Sequence, residues 1–152
     1  MTELRELYQQ IILDHNRRPR NFGPLEEANR RQEGHNPLCG DHLRVYLLLA
    51  DGGLIEEIHF DGSGCAISKA SASLMTEQLK GRSVEEAKAA FDSFHDLVTG
   101  DPAEPVDPVK AGKLAVFAGV REFPMRVKCA TLAWHTMKSA LDGDAAEPVT
   151  TE

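Results

Sequence analysis

Leu43 to Ala50 and Leu54 to Phe60 are two extended runs separated by Asp51-Gly52-Gly53. Apolar, β-branched and aromatic residues on either side of such a turn read as a β-hairpin. In the second run Leu54, Ile58 and Phe60 share a face, with Glu57 and His59 opposite, which makes His59 a solvated residue. Glu56 interrupts the alternation and leaves the register open.

Helical patterns surround this hairpin. Leu4, Leu7, Tyr8, Ile11 and Ile12 form one apolar stripe, continued by His15, which reads as a helix-end residue. Arg18-Pro19 ends that helix, because the residue before proline avoids helical angles. Asn21 to Gly34 is polar and irregular, with an edge strand near its end. Cys65 to Lys80 is rich in Ala, Ser, Leu and Met, with Gly81 placed to end it. Ser83-Val84-Glu85-Glu86 is a capping box opening a helix whose apolar face is Val84, Ala87, Phe91, Phe94 and Val98. Gly100 to Pro108 is a loop and Lys113 to Val120 a short helix. A last helix runs from about Lys128 to Leu141, with Ala130, Trp134, Met137 and Leu141 on one side. Helix, small antiparallel sheet, then several helices is an α+β order, with the helices on one face of the sheet. Residues 1–141 are expected to form one domain and 142–152 a loose tail.

The chain has 152 residues and a net charge of −7. An acidic chain is a poor nucleic-acid binder unless its cations cluster. The one cluster, Arg17-Arg18-Pro19-Arg20 with Arg30-Arg31, suits a solvated face or a protein-docking patch. The N-terminus alternates charge and lacks a signal peptide's apolar centre, and the longest apolar run, Val45 to Ala50, is too short to span a bilayer. The expected setting is the cytoplasm, with no membrane or nucleic-acid partner. There the three cysteines stay reduced, and an odd count argues against a closed disulfide framework.

Cys39 lies in a tight loop, Asn36-Pro37-Leu38-Cys39-Gly40-Asp41. Cys65 follows Gly62-Ser63-Gly64 and opens a helix; Cys129 also falls near a helix start, with Arg126 and Lys128 adding positive charge. Free N–H groups and the helix dipole lower a thiol's pKa at such positions. Asp41 is two residues from Cys39, so in an extended segment both face one side. Three thiolates and a carboxylate are four donors, the number zinc takes in a tetrahedral site; soft sulfur favours zinc, iron or an iron–sulfur cluster over magnesium or calcium. There is no CxxC pair, however, and spacing alone favours separately buried cysteines.

Three motifs occur in order: Asn36-Pro37-Leu38-Cys39-Gly40-Asp41, Gly62-Ser63-Gly64-Cys65-Ala66-Ile67-Ser68 and Lys128-Cys129-Ala130-Thr131-Leu132-Ala133-Trp134. Together they resemble the U-type iron–sulfur assembly proteins (IscU, SufU and the N-terminal part of NifU), from the first helix to about Leu141. The resemblance implies an α+β fold with a three-stranded antiparallel sheet. It implies a surface site of Cys39, Asp41, Cys65 and Cys129 that binds zinc, takes sulfur from a pyridoxal-phosphate cysteine desulfurase and, in scaffold members, holds a transient iron–sulfur cluster passed to apo-proteins or downstream assembly factors. Lys128 stands where IscU-type members carry a histidine. Phe123-Pro124-Met125-Arg126-Val127-Lys128 replaces their Leu-Pro-Pro-Val-Lys chaperone motif. The stretch from Gly100 to Gly119 is similar to the insertion of the SufU kind, as is Arg126. A sulfurtransferase working with the desulfurase is therefore expected, with Cys39 as acceptor in its Gly-flanked loop and Cys129 as rival acceptor. The same four residues serve a scaffold, where Asp41 is a weak ligand suited to release. A cysteine hydrolase using Cys39 with His35 or His42 would need a triad built from sequence neighbours, which rarely occurs. A structural zinc site normally has ligand pairs at short spacing, which this chain lacks.

Overall fold

A computed structural model of the chain describes residues 2–143 and 148–150. Its centre is the expected hairpin. β2 (Asp41–Ala50) and β3 (Leu54–Ser63) pair antiparallel, and β1 (Arg30–Asn36) pairs antiparallel with the other edge of β2. β4 (Val149–Thr150) lies parallel to β1, giving the order β3-β2-β1-β4. The sheet is therefore mixed and four-stranded rather than three-stranded and antiparallel. Two residues are too few for an alternation to show in sequence, which is why the last strand falls in the segment read as a tail. The rest of that tail, 144–147 and 151–152, lies outside the described residues.

Glu56 marks a β-bulge. Leu48 pairs with Glu57 but Leu49 pairs with Ile55, so Glu56 is the extra residue. The slip brings Ile55 to the same buried face as Ile58 and Phe60, whereas Leu54, expected inside, is 44% exposed. His59 is half-buried rather than solvated, 3.7 Å from Glu57.

The helices cover the face carrying Leu43, Val45, Leu47, Ile58 and Phe60. α1 (Thr2–Arg17) ends before Pro19. His15 is buried: its Nδ1 lies 2.7 Å from Ser73 Oγ on α2 (Ala66–Leu79). α2 buries Ser68, Ser71, Ser73 and Thr76 beside Leu74 and Met75. Small hydroxyl residues admit neighbouring helices closely, and each needs a partner once dry. Ser71 donates to the Ala130 carbonyl and accepts from the Trp134 indole N–H. α3 (Val84–Thr99) starts on the capping box, with both reciprocal bonds between Ser83 and Glu86. α4 (Pro108–Ala111) leads into a 3-10 helix (Gly112–Glu122), longer than the short helix expected there. α5 (Pro124–Asp142) starts four residues earlier than expected, since proline suits the first helical position. Trp134 of α5 stacks on Phe94 at 4.7 Å, and Phe94 meets Phe117 edge-on at 5.7 Å, closing the core over the sheet.

Candidate metal centre

The turn 37–40 joins β1 to β2 and sets the site. The Gly40 and Cys39 N–H groups both donate to the Asn36 carbonyl, at 2.9 and 3.3 Å. Gly40 has φ 73°, a left-handed conformation that a side chain disfavours. This turn, rather than a continuous extended segment, brings Cys39 to Asp41. Asp41 opens β2 with its side chain on the buried face and is fully buried.

The Cys39 sulfur, a carboxylate oxygen of Asp41 and the Cys129 sulfur lie within 4.8 Å of one another. Cys65 approaches through its backbone, whose N–H donates to Asp41 Oδ1 at 2.9 Å. Gly64 makes that possible: a Cβ there would lie 2.8 Å from Asp41 Oδ1. The Cys65 sulfur stands outside the close trio and caps α2, accepting from the Ser68 N–H at 3.4 Å. Asp41 Oδ2 is buried without a hydrogen-bond partner, a costly arrangement for a carboxylate with nothing bound. A buried carboxylate beside two sulfurs, with a third cysteine one hydrogen bond away, is the donor chemistry of a soft or borderline divalent ion.

Cys129 departs from its expected environment. As the sixth residue of α5 it lies past the first turn, so free helix-start N–H groups do not favour its thiolate. Burial pushes its thiol well above the ordinary range, and the neighbouring Asp41, Cys39 and Cys65 push the same way. Without a cation, then, the Cys129 proton is held tightly. The Asn36 side-chain N–H faces its sulfur at 3.8 Å. Asn36, fully buried, was not singled out in the sequence, although it stands in the Cys39 motif.

Cys39 and Cys65 are exposed and Cys129 is buried. All three line a groove of about 800 Å³ between α1 and the 3-10 helix. Its walls are mostly apolar, including Tyr8, Ile12, Ile67, Val120 and Met125. Arg126 lines it too, its guanidinium 4.4 Å from the Phe123 ring centre, whereas Lys128 is half-buried outside the lining. Neither His35 nor His42 joins Asp41 in a hydrolase triad: both are exposed on the sheet face opposite Asn36 and Asp41. Much of the Arg17–Arg20 cluster is answered locally, Asp14 pairing with Arg20 at 2.7 Å and Arg18 at 3.7 Å.

Residues 7–130 match the NifU-like N terminal domain family. The chain is 39% identical over 135 residues to the zinc-dependent sulfurtransferase SufU of Bacillus subtilis, covering 89% of each. It is 40% identical over 147 residues to the iron–sulfur cluster assembly scaffold protein IscU of Streptococcus pyogenes, covering 95% of this chain and 89% of that one. A solved structure of FiSufU, described as a scaffold protein for the SUF system of Fervidobacterium islandicum, superposes with a TM-score of 0.78 at 36% identity, covering 87% and 94% of the two chains. No described helix is long and apolar enough to cross a membrane.

Proposed function

The chain belongs to the NifU-like N-terminal domain family of iron–sulfur cluster assembly proteins, and from that premise we propose that it accepts persulfide sulfur from a cysteine desulfurase at a zinc site of Cys39, Asp41, Cys65 and Cys129. The observation that carries this reading is the contrast within the close trio: Cys39 is exposed on an apolar groove while Asp41 and Cys129 are buried behind it.

Zinc, when bound, keeps its cysteine ligands deprotonated at neutral pH. The chain's own residues do the rest. The groove receives the segment that carries the donor persulfide, and Arg126 at its rim offers a cation to that approaching surface. The Cys39 sulfur attacks the donor's outer sulfur; the donor S–S bond breaks, its inner sulfur leaves as a thiolate, and Cys39 gains the persulfide. Asp41, its Oδ1 fixed by the Cys65 N–H, keeps a carboxylate oxygen beside the two sulfurs. Cys129 is the poorer acceptor, since burial hides its sulfur from an incoming donor.

The test mixes zinc-loaded protein anaerobically with a cysteine desulfurase and cysteine, then maps persulfides after alkylation. A persulfide on Cys39 and faster alanine production are expected. Persulfide on Cys129 alone, or neither effect, overturns the assignment. The likeness to scaffold proteins supports a second reading, in which the same residues hold an iron–sulfur cluster as cargo destined for apo-proteins. Asp41→Ala then slows cluster release, because a carboxylate is the weakest of the four ligands toward iron.

A further inference from the structure

The hairpin that presents Cys39 carries a second donor cluster on its opposite face. His35 of β1 and His42 of β2 are directly paired across the strands, flanking the turn 37–40. Their rings stand 5.8 Å apart, centre to centre, and both are exposed. Glu33, two residues before His35 and so on the same face, brings Oε2 to 3.3 Å from His42 Nε2. Arg44, which pairs with Glu33 across the strands, has its charge answered by Asp61 at 2.9 Å. None of these side chains belongs to the trio of Cys39, Asp41 and Cys129, which lies on the buried side.

Two imidazoles and a carboxylate are the donor set of borderline first-row ions. With metal–ligand bonds of about 2.0–2.1 Å, neighbouring ligand atoms at a tetrahedral ion stand about 3.3 Å apart, the spacing Glu33 and His42 already hold. Two imidazoles sharing such an ion place their ring centres about 5 Å apart. The ligand atoms of the three residues do not yet lie within 4.8 Å of one another, so a His35 nitrogen has to swing inward by more than about 1.5 Å, a change of side-chain rotamer open to a solvent-exposed position. The chain's net charge of −7 favours accumulation of cations at its surface.

We propose that Glu33, His35 and His42 form a second metal site, open to solvent and suited to Zn²⁺ or Ni²⁺, that ties together the two strand ends from which the Cys39 turn springs. It differs from the cysteine site in donor type, in face and in openness, with water completing the coordination. Its occupancy pins Asn36, which accepts from Cys39 and Gly40, to the start of β2 and so stiffens the turn.

The experiment starts from full-length protein carrying its tightly held zinc and titrates Ni²⁺ alone, followed by metal analysis and amide NMR. One further equivalent is expected, with paramagnetic broadening centred on residues 33–35 and 42–44 and slower amide exchange at Cys39 and Gly40. His35→Asn and His42→Asn, both exposed substitutions, each abolish the extra equivalent and the broadening while leaving the first metal in place. Retention of the extra equivalent in both variants, or broadening centred elsewhere, overturns the site. Bound nickel without any change in exchange overturns the stiffening of the turn.

Discussion

Gly34 sits on the buried face of β1 against α5, and an alanine there tests how rigidly the sheet holds the helix that carries Cys129. The added methyl carbon meets Thr136 Oγ1 in direct overlap, with Leu132 Cδ1 at 3.1 Å and Thr136 Cβ at 3.3 Å. Thr136 is fully buried and its hydroxyl donates to the Leu132 carbonyl at 2.7 Å, so turning it away sacrifices a dry hydrogen bond. Overpacking of this kind costs about 1–3 kcal/mol. The smaller conformational freedom of alanine in the unfolded chain returns about 0.4–1 kcal/mol. Gly34→Ala should thus destabilise by about 1–2 kcal/mol, lowering the melting temperature by roughly 2–8 °C in a chain of this size. Thr136→Ala removes the obstructing group, so the double variant should recover about 1 kcal/mol relative to the sum of the single changes. Urea denaturation followed by the fluorescence of Trp134, the single tryptophan, measures all four proteins. A Gly34→Ala protein as stable as the parent, or strictly additive effects, would refute the reasoning.

Other expectations follow from the same contacts. Ser71→Ala leaves the buried Trp134 N–H without its acceptor and should cost about 1–3 kcal/mol, measured by urea denaturation. Gly64→Ala intrudes on Asp41 Oδ1 and should weaken zinc retention in a chelator competition while changing the far-UV spectrum little. His15 and His135 both have pKa values depressed below 6.5, burial being the first cause for each. Their neutral forms are favoured by folding, so their contribution is complete above pH 6.5 and is lost as pH falls below it, where the unfolded chain binds the additional protons. The denaturation midpoint should fall between pH 7 and 5, and His135→Gln should flatten part of that slope.

What the sequence disclosed was local chemistry. Ser83 and Glu86 announce their helix because a capping box is complete within four residues, and Asp51-Gly52-Gly53 announces the hairpin for the same reason. The three cysteine motifs named the family, and the fold brings Cys39, Asp41 and Cys129 together. Contacts made across the fold stayed hidden. The inward turn of Ile55 depends on which residue of β2 it faces, and Glu56 records only that the alternation fails. Ser71 and Ser73 look like ordinary polar residues until Trp134 and His15 arrive from more than fifty positions away. Pro124 can open or precede a helix, and that choice decides whether Cys129 meets free N–H groups or a closed ladder.

The Cys65 sulfur closes the first turn of α2 by accepting the Ser68 amide. A thiolate that also binds a cation has less electron density to share with that amide, so the start of α2 becomes a gauge of what the site holds. Hydrogen-exchange rates at Ser68 should differ between the metal-free and metal-loaded proteins. One backbone amide would then report whether a cation rests on the Cys65 sulfur.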